Sequence, residues 1–137
     1  MKVNAYLTFD GKCDAAFQFY EKCLGGKIVF KMTHGDSPMC DQMPPNMKDT
    51  IMHARMVIGE GIIMGSDAPP DRYAKPQGFN VALNMSDPAE AERIFQSLSQ
   101  NGVVMMPLQE TFWALKFAMF VDQFGIPWMI NCEKPAP

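Results

Sequence analysis

"DQFGIPWMINCEKP", residues 122–135, predicts a tight turn that leads into an apolar strand. "GEGIIMGSDAPP", residues 59–70, has the same form, and in each copy a methionine, Met64 or Met129, lies near the middle of the strand. Two such segments about sixty residues apart indicate a duplicated structural unit. The elements that precede each copy should then repeat as well.

The first half of the chain predicts the order strand, helix, strand, strand, strand. Residues 3–9 and 27–32 predict strands, and residues 50–58 and 61–66 predict a hairpin that turns on Gly59 and Glu60. The apolar residues with helical spacing, which end at the glycines 25 and 26, are Cys13, Ala16, Phe17, Tyr20 and Leu24. Residues 33–49 have no period and predict a loop, which at this length is typically a lid or a mobile segment.

The second half repeats this order after a linker at residues 68–77. A strand at residues 79–85 precedes a helix that Asp87 caps, with Pro88 at its first position and Glu90 in its first turn. Residues 101 and 102, Asn-Gly, are predicted to end that helix. Its apolar stripe consists of Ala91, Ile94, Phe95 and Leu98. Strands at residues 103–109, 115–121 and 126–132 complete the repeat.

The predicted fold class is therefore α+β. Two βαβββ modules, residues 1–67 and 78–137, form one compact domain with curved, mostly antiparallel sheets. The single helix of each module covers one face of its sheet and leaves the other face bare. Two bare faces side by side would enclose a cavity, which is where we expect a ligand to bind.

Charge and composition exclude several classes of function. The chain has 137 residues, a net charge of −3 and scattered lysines, which disfavours binding to nucleic acid. No apolar run approaches the length of about 20 residues that a membrane span needs, and the N-terminus does not resemble a signal peptide. We therefore expect a cytoplasmic protein that does not contact membranes. The four cysteines lack a C-x-x-C pair and predict small buried apolar residues rather than a disulfide or a zinc site.

Several motifs together resemble the vicinal oxygen chelate superfamily, which includes glyoxalase I, bleomycin-resistance proteins and extradiol dioxygenases. Besides the two-module order, they are "FY…LGG" at residues 19–26, "SDAPP" at 66–70, "QETFWA" at 109–114 and "FGIPWMI" at 124–130. Within the superfamily the chain is most similar to the PhnB-like branch. The resemblance implies a glyoxalase-like fold, a small-molecule ligand and a homodimer, whose modules pair within one chain or between two.

Some PhnB-like proteins are described as demethylubiquinone-methyltransferase-like. A methyl-donor nucleotide usually binds at a glycine-rich turn between a strand and a helix, and this sequence has no such turn. The chain also leaves no room for a further domain beside the two modules. We therefore give methyl transfer little weight.

The resemblance also implies where a metal ion would be held. Metal-dependent members bind a divalent ion through four side chains, typically His or Glu, from the first and last strand of each module. The matching positions here are Ala5 or Tyr6, Met64, Asn80 and Met129. Thioethers and a neutral amide are weak donors for Mg²⁺, Mn²⁺, Zn²⁺ and Fe²⁺, so we expect no metal and no other cofactor. Copper(I) favours methionine but would have only two thioethers. The methionines are instead expected to line a dry pocket floor.

His53 and Arg55 are candidate ligand-binding residues of the first module. If the hairpin turns on residues 59 and 60, Arg55 lies opposite Met64 and both candidates face the cavity. They would then offer proton transfer near neutral pH and a guanidinium for an anion. A shift of one residue in the turn would send both side chains outward, where Arg55 would be an ordinary surface charge.

Four further residues are candidates whose role the sequence leaves open. Tyr6 and Thr8 share one face of the first strand and could offer hydroxyl groups to a ligand. Trp113 could stack on a flat ligand or pack in the core, and Glu110 could act as a base or anchor a loop. Asp67 is expected to form a turn that fixes the junction between the modules.

Three functions remain open at this point. The leading one is metal-free binding of a small organic ligand in the cavity, as in the resistance proteins of the superfamily. The alternative is a lyase, isomerase or oxygenase-type enzyme that uses a metal or acid–base chemistry at the candidate catalytic residues His53 and Glu110. A third is an interacting subunit with exposed sheet edges. No Ser/His/Asp or Cys/His nucleophile pattern is recognisable.

Overall fold

A computed structural model describes residues 1–135 and divides the chain into two compact units, with the boundary after Ala74. That boundary lies inside the predicted linker. The first unit contains β1 (Ala5–Phe9), α1 (Cys13–Leu24), β2 (Lys27–Thr33), β3 (Ile51–Ile58) and β4 (Gly61–Asp67). The second contains β5 (Val81–Met85), α2 (Pro88–Leu98), β6 (Val103–Gln109), β7 (Ala114–Val121) and β8 (Pro127–Glu133).

Each unit is built around one four-stranded mixed sheet. The strand order is β1-β4-β3-β2 in the first unit and β5-β8-β7-β6 in the second. In both, the first strand pairs with the last in parallel and the remaining pairs are antiparallel. The predicted α+β class and the two βαβββ modules are confirmed.

Helix α1 packs on one face of the first sheet. Its buried residues are Cys13, Ala16, Phe17, Tyr20 and Cys23, so the stripe ends at Cys23 and Leu24 is only partly covered. The ring of Phe17 lies over Gly65 of β4, where an added Cβ would be 2.9 Å from its Cε1 atom. Gly65 therefore lets the helix approach the sheet closely. Gly25, with a φ of 69°, ends the helix as predicted.

Helix α2 covers one face of the second sheet in the same way. The Asp87 side chain caps it by accepting a hydrogen bond from the Ala89 backbone N–H at 3.0 Å, and Pro88 is its first residue. The Phe95 ring meets Phe120 of β7 edge to face, with ring centroids 5.7 Å apart. The helix ends at Leu98, earlier than predicted, and Asn101 adopts the left-handed conformation that follows it.

Other strand boundaries differ from the prediction by one or two residues, and one predicted loop contains helical turns. Strands β1 and β5 each begin two residues later than predicted, at Ala5 and Val81, because only from there does a parallel partner strand accompany them. The segment 33–49 is not an unstructured loop. It contains two short 3₁₀ helices (Cys40–Gln42 and Pro45–Met47), and Met47 is buried. Apolar burial of this kind holds the segment against its unit.

Two buried aspartates fasten the ends of strands. Asp67, the last residue of β4, accepts hydrogen bonds from the backbone N–H groups of Cys13 at 2.9 Å and Ile51 at 2.8 Å. It therefore joins the start of α1 to the start of β3. Asp67 was predicted to form a turn at the junction between the modules. In the structure its carboxylate instead links α1 and β3 within the first unit.

Asp122, just after β7, holds the turn that leads into β8. Its Oδ1 atom accepts from the backbone N–H groups of Phe124 at 2.8 Å and Ile126 at 3.0 Å, and its Oδ2 atom accepts from the Trp128 indole N–H at 2.8 Å. The turn in the opening stretch "DQFGIPW" is thus organised by its own first residue.

Cys13, Cys23 and Cys132 are buried, and Cys40 is partly exposed. Burial raises the pKa of the Cys13 thiol, and the nearby carboxylates of Asp67 and Asp14 raise it further. Burial likewise raises the pKa of Cys132. Both thiols therefore stay protonated and act as apolar packing groups. Within residues 1–135, no helix has the length and the apolar character needed to cross a lipid bilayer.

Candidate functional site

The face of the first sheet opposite α1 carries most of the predicted candidates. Ala54 and Met56 of β3 are buried on the α1 side, and side chains alternate along a strand, so His53, Arg55 and Val57 lie on the other face. We call this helix-free face the open face of the first unit. The strand register places these side chains next to one another on it: Tyr6, Thr8, Phe30, Met32, His53, Arg55, Met64 and Ser66.

Three aromatic rings meet on this open face. The Tyr6 hydroxyl and the His53 Nδ1 atom are 3.1 Å apart and form a hydrogen bond. The two rings are stacked, with centroids 5.7 Å apart and planes at 28°. Phe30 lies on the other side of His53, at a centroid distance of 5.8 Å. Since Tyr6 and Phe30 are 47% and 44% exposed, the cluster presents ring surface to a ligand.

Arg55 supplies a positive charge beside this ring cluster. It pairs with Phe30 on β2 and with Met64 on β4, which confirms the predicted hairpin register. Its side chain is exposed, and among residues 1–135 no carboxylate forms an ion pair with it. A guanidinium without an acidic neighbour is free to bind a carboxylate or another oxyanion through two parallel hydrogen bonds.

Phe30 was missed by the sequence analysis. A register shift between Ile28 and Phe30 in the β2–β3 pair moves Phe30 opposite Arg55. Without that bulge, Phe30 would lie opposite Ala54, on the face covered by α1. The sequence "KIVFKMT" contains no glycine or proline that would have signalled the bulge.

The two methionines occupy matching positions in the two sheets. Met64 lies between Tyr6 of β1 and Arg55 of β3, and Met129 lies between Ala82 of β5 and Met119 of β7. Each is therefore in the strand between the first and third strands of its unit. The positions implied for metal ligands are thus occupied by thioethers on equivalent strands.

The residues at the implied metal positions do not fit a hard divalent ion. The Asn80 amide donates its N–H to the Trp128 backbone carbonyl at 3.1 Å, and the Tyr6 hydroxyl is bonded to His53. Thioether sulfur is a poor donor for such ions, and Ala5 has no donor at all. The described part of the chain contains no group of three or more His, Cys, Asp or Glu residues placed to hold an ion.

The second unit positions the remaining candidates differently. The Glu110 carboxylate forms an ion pair with Lys134 at 3.4 Å and is mostly exposed. Trp113 follows it in the segment between β6 and β7, with its ring edge to face against Phe112 at 4.7 Å and Phe117 at 5.2 Å. Trp113 is thus partly a packing residue and partly exposed, as both interpretations of it allowed. His53 and Glu110 lie in different units.

In the first unit, Thr8 lies opposite Ser66, so two hydroxyl groups adjoin Tyr6 and Met64 on the open face. Together these side chains offer stacking surface, one unpaired cation and several neutral hydrogen-bonding groups. The Tyr6–His53 hydrogen bond can also pass a proton between the two side chains. This arrangement suits recognition of a flat organic anion.

The chain resembles several known proteins over almost its whole length. A sequence model of the Glyoxalase/Bleomycin resistance protein/Dioxygenase superfamily matches residues 2–130. Protein YjdN of Escherichia coli (strain K12) is 39% identical over 145 aligned positions, which cover 100% of this chain and 99% of YjdN.

Solved structures show the same similarity. Protein PA1353 from Pseudomonas aeruginosa is 44% identical and superposes with a TM-score of 0.89 over 98% of this chain and 99% of its own. The PhnB protein from Bacillus cereus, a putative 3-demethylubiquinone-9 3-methyltransferase, is 22% identical with a TM-score of 0.79, over 96% of this chain and 98% of its own. At that identity the similarity concerns the fold alone.

Proposed function

The chain belongs to the Glyoxalase/Bleomycin resistance protein/Dioxygenase superfamily, and from this premise we propose that it binds a small, flat organic anion on the open face of the first unit. The observation that carries the proposal is the unpaired Arg55 beside the Tyr6–His53–Phe30 ring cluster. We propose further that binding requires no metal ion.

The expected binding energy comes from two kinds of contact. A bidentate pair between Arg55 and a ligand carboxylate contributes about 1.5–3 kcal/mol, because both hydrogen bonds are charge-assisted. Stacking of the ligand ring on Tyr6 or Phe30 adds about 0.5–1.5 kcal/mol beyond the burial of apolar surface. Met64 lies beside Tyr6 and Arg55 and supplies an adaptable apolar floor.

Benzoate tests this proposal because it combines a flat ring with one carboxylate. The chain has two histidines, so the His53 ring signal in an NMR spectrum is assigned by comparison with a His34→Gln variant. We expect benzoate to shift the His53 signal saturably, and cyclohexanecarboxylate, which has no aromatic ring, to bind more weakly. In Arg55→Ala the Kd for benzoate should rise about tenfold or more, because the charge-assisted pair is lost.

Arg93→Ala is the matched control. Arg93 is an exposed arginine on α2, paired only loosely with Glu90 at 3.9 Å, and its loss should leave the benzoate affinity unchanged. An equal benzoate affinity in Arg55→Ala and in the parent protein would contradict the proposal. So would a His53 signal that does not shift as benzoate is added.

Metal ions should leave the protein unaffected. A ligand that binds only the native state raises its melting temperature, by an amount set by its concentration relative to its Kd. With Met64, Met129 and Asn80 at the implied positions, we expect Zn²⁺, Ni²⁺ or Fe²⁺ in tenfold excess to change the melting temperature by less than about 1 °C. Differential scanning fluorimetry after chelator treatment measures this. A rise of several degrees that Met64→Ala abolishes would contradict it and would favour the enzyme alternative.

An enzyme with acid–base chemistry at His53 is the second candidate function, and the Tyr6–His53 hydrogen bond is the observation that favours it. Glu110, the other candidate catalytic residue, is already paired with Lys134. We therefore assign Tyr6, rather than Glu110, as the proton-sharing partner in this alternative. Turnover of a ligand found by the benzoate assay, lost in both Tyr6→Phe and His53→Gln, would support it over simple binding.

Homodimer formation and a cytoplasmic location are further parts of the proposal. The superfamily resemblance supports the first, and the chain's composition supports the second. Analytical ultracentrifugation at several protein concentrations tests the dimer.

A further inference from the structure

The turn between α2 and β6 contains the pair Asn101 and Gly102, which the proposed function does not use. Asn101 is exposed and, within residues 1–135, is the one residue other than glycine with a positive φ, at 59°. The chain has six asparagines, and only Asn101 precedes a glycine. An asparagine before glycine is prone to lose its side-chain amide, because glycine has no Cβ to obstruct attack by its own backbone nitrogen.

Gly102 has almost no free space around it. A Cβ added to it would overlap the Val121 carbonyl oxygen and would lie 3.1 Å from the Asp122 Cα atom. The next residue, Val103, begins β6 and pairs with Val121. The Gly102 backbone therefore lies directly against the end of β7, where Asp122 begins the turn into β8.

The backbone N–H of Gly102 is occupied as well. It donates to the Ser99 carbonyl at 3.0 Å. Ser99 in turn donates both its own N–H and its hydroxyl to the Phe95 carbonyl, so these bonds continue the end of α2 into the turn. A nitrogen held in this way cannot approach the Asn101 side chain unless the turn opens. The native fold therefore protects this asparagine.

We propose that Asn101 is a site of spontaneous covalent modification, protected in the native fold and modified when the end of α2 unwinds. The Gly102 nitrogen then attacks Asn101 Cγ and forms a C–N bond that closes a cyclic imide. The Cγ–Nδ2 bond breaks, and ammonia leaves with the proton from the Gly102 nitrogen. Water next opens the imide. Opening at Cγ gives aspartate, and opening at the main-chain carbonyl carbon gives isoaspartate.

Isoaspartate at position 101 does not fit the native turn. Its main chain runs through Cβ and Cγ and so contains an additional carbon atom before Gly102. Gly102 cannot move to make room for this atom, because Val121 and Asp122 lie against it. Val103 is likewise held by its pairing with Val121. A molecule that is modified while unfolded therefore refolds with a weakened connection between α2 and β6.

Peptide mass spectrometry tests the protection. The protein is incubated in mildly alkaline buffer with and without guanidinium chloride, and the mass gain from amide to carboxylate is followed for each asparagine. We expect Asn101 to convert about tenfold or more faster in the denaturant, because unfolding frees the Gly102 nitrogen. The other asparagines are internal controls that should convert more slowly in denaturant: Asn4, Asn46, Asn80, Asn84 and Asn131.

Equal rates at Asn101 in the two buffers would overturn the proposal. So would a rate in denaturant that is no greater than the rates of the other asparagines. Neither measurement involves a ligand, so the result is independent of benzoate binding in the first unit.

The melting temperature separates the effect of the additional main-chain atom from that of the added charge. After removal of the denaturant, ion exchange isolates the modified protein, and peptide mapping measures its isoaspartate content. Asn101→Asp has the same charge but a main chain of normal length. The isoaspartate form should melt about 3 °C or more below Asn101→Asp, or stay unfolded, because only its turn is lengthened.

Asn101→Gly is the control for the incubation itself. Glycine accepts the positive φ and has no amide to lose, so this variant should refold with an unchanged melting temperature after the same treatment. Equal melting temperatures for the isoaspartate form and Asn101→Asp would show that the turn accommodates the additional atom, which would contradict the proposal.

Discussion

Replacing Asp122 by alanine should lower the free energy of unfolding by about 4 kcal/mol. The substitution removes the carboxylate that accepts three hydrogen bonds. The donors are the backbone N–H groups of Phe124 and Ile126 and the indole N–H of Trp128. Trp128 is fully buried, so its N–H cannot turn to water without moving the core. Urea denaturation followed by circular dichroism measures the loss.

A double-mutant cycle with Trp128→Phe apportions this effect. Phenylalanine has no indole N–H, so Asp122→Ala should cost less in that background, and the difference estimates the Asp122–Trp128 interaction. Gln123→Ala, at the exposed neighbouring position, should cost less than about 0.5 kcal/mol and serves as the control. A cost below about 1 kcal/mol for Asp122→Ala would show that the carboxylate is dispensable to the turn.

Asp67→Ala should destabilise the protein by about 3 kcal/mol. Both of its carboxylate oxygens are used, one by the Cys13 N–H at the start of α1 and one by the Ile51 N–H at the start of β3. Asp67→Asn keeps one accepting oxygen but points an amide N–H at the other donor, so it should recover only part of the stability. Thermal and urea unfolding of both variants give the comparison.

Asp71→Ala is the matched control, because Asp71 is exposed and lies four positions further along the chain. Its replacement should change the free energy of unfolding by no more than about 0.5 kcal/mol. If Asp67→Asn were as stable as the parent protein, the negative charge at this position would have no role in holding α1 and β3 together.

The helices, the strands and the register of the β3–β4 hairpin could be predicted from the sequence, because each depends on residues that are close together in the chain. Helical spacing, the Asp87–Pro88 start and the terminal Gly25 each act within a few residues. The tight turn after Ile58 fixes Arg55 opposite Met64 in the same way. These features depend only on residues close together in the sequence, so the structure agrees with the prediction at these positions.

The candidate site was harder to predict because it depends on distant pairs. Tyr6 and His53 are 47 positions apart, and their contact follows from the pairing of β1, β4 and β3 rather than from any motif. Phe30 reaches the same face only through a bulge. Asp122 could have been found, since an aspartate that bonds the N–H two residues on is a recognised turn former.

The parallel pairing of β1 with β4 has a consequence for how the protein is made. Ala5 is translated long before its partner Ile63, so the ribosome releases β1 with its backbone groups unpaired until the rest of the unit has emerged. The same wait recurs for β5, because α2, β6 and β7 lie between it and its partner β8 in the chain. During synthesis the nascent chain therefore exposes the unpaired backbone groups of β1 at one stage and those of β5 at a later stage. We expect chaperone binding to matter most at these two stages.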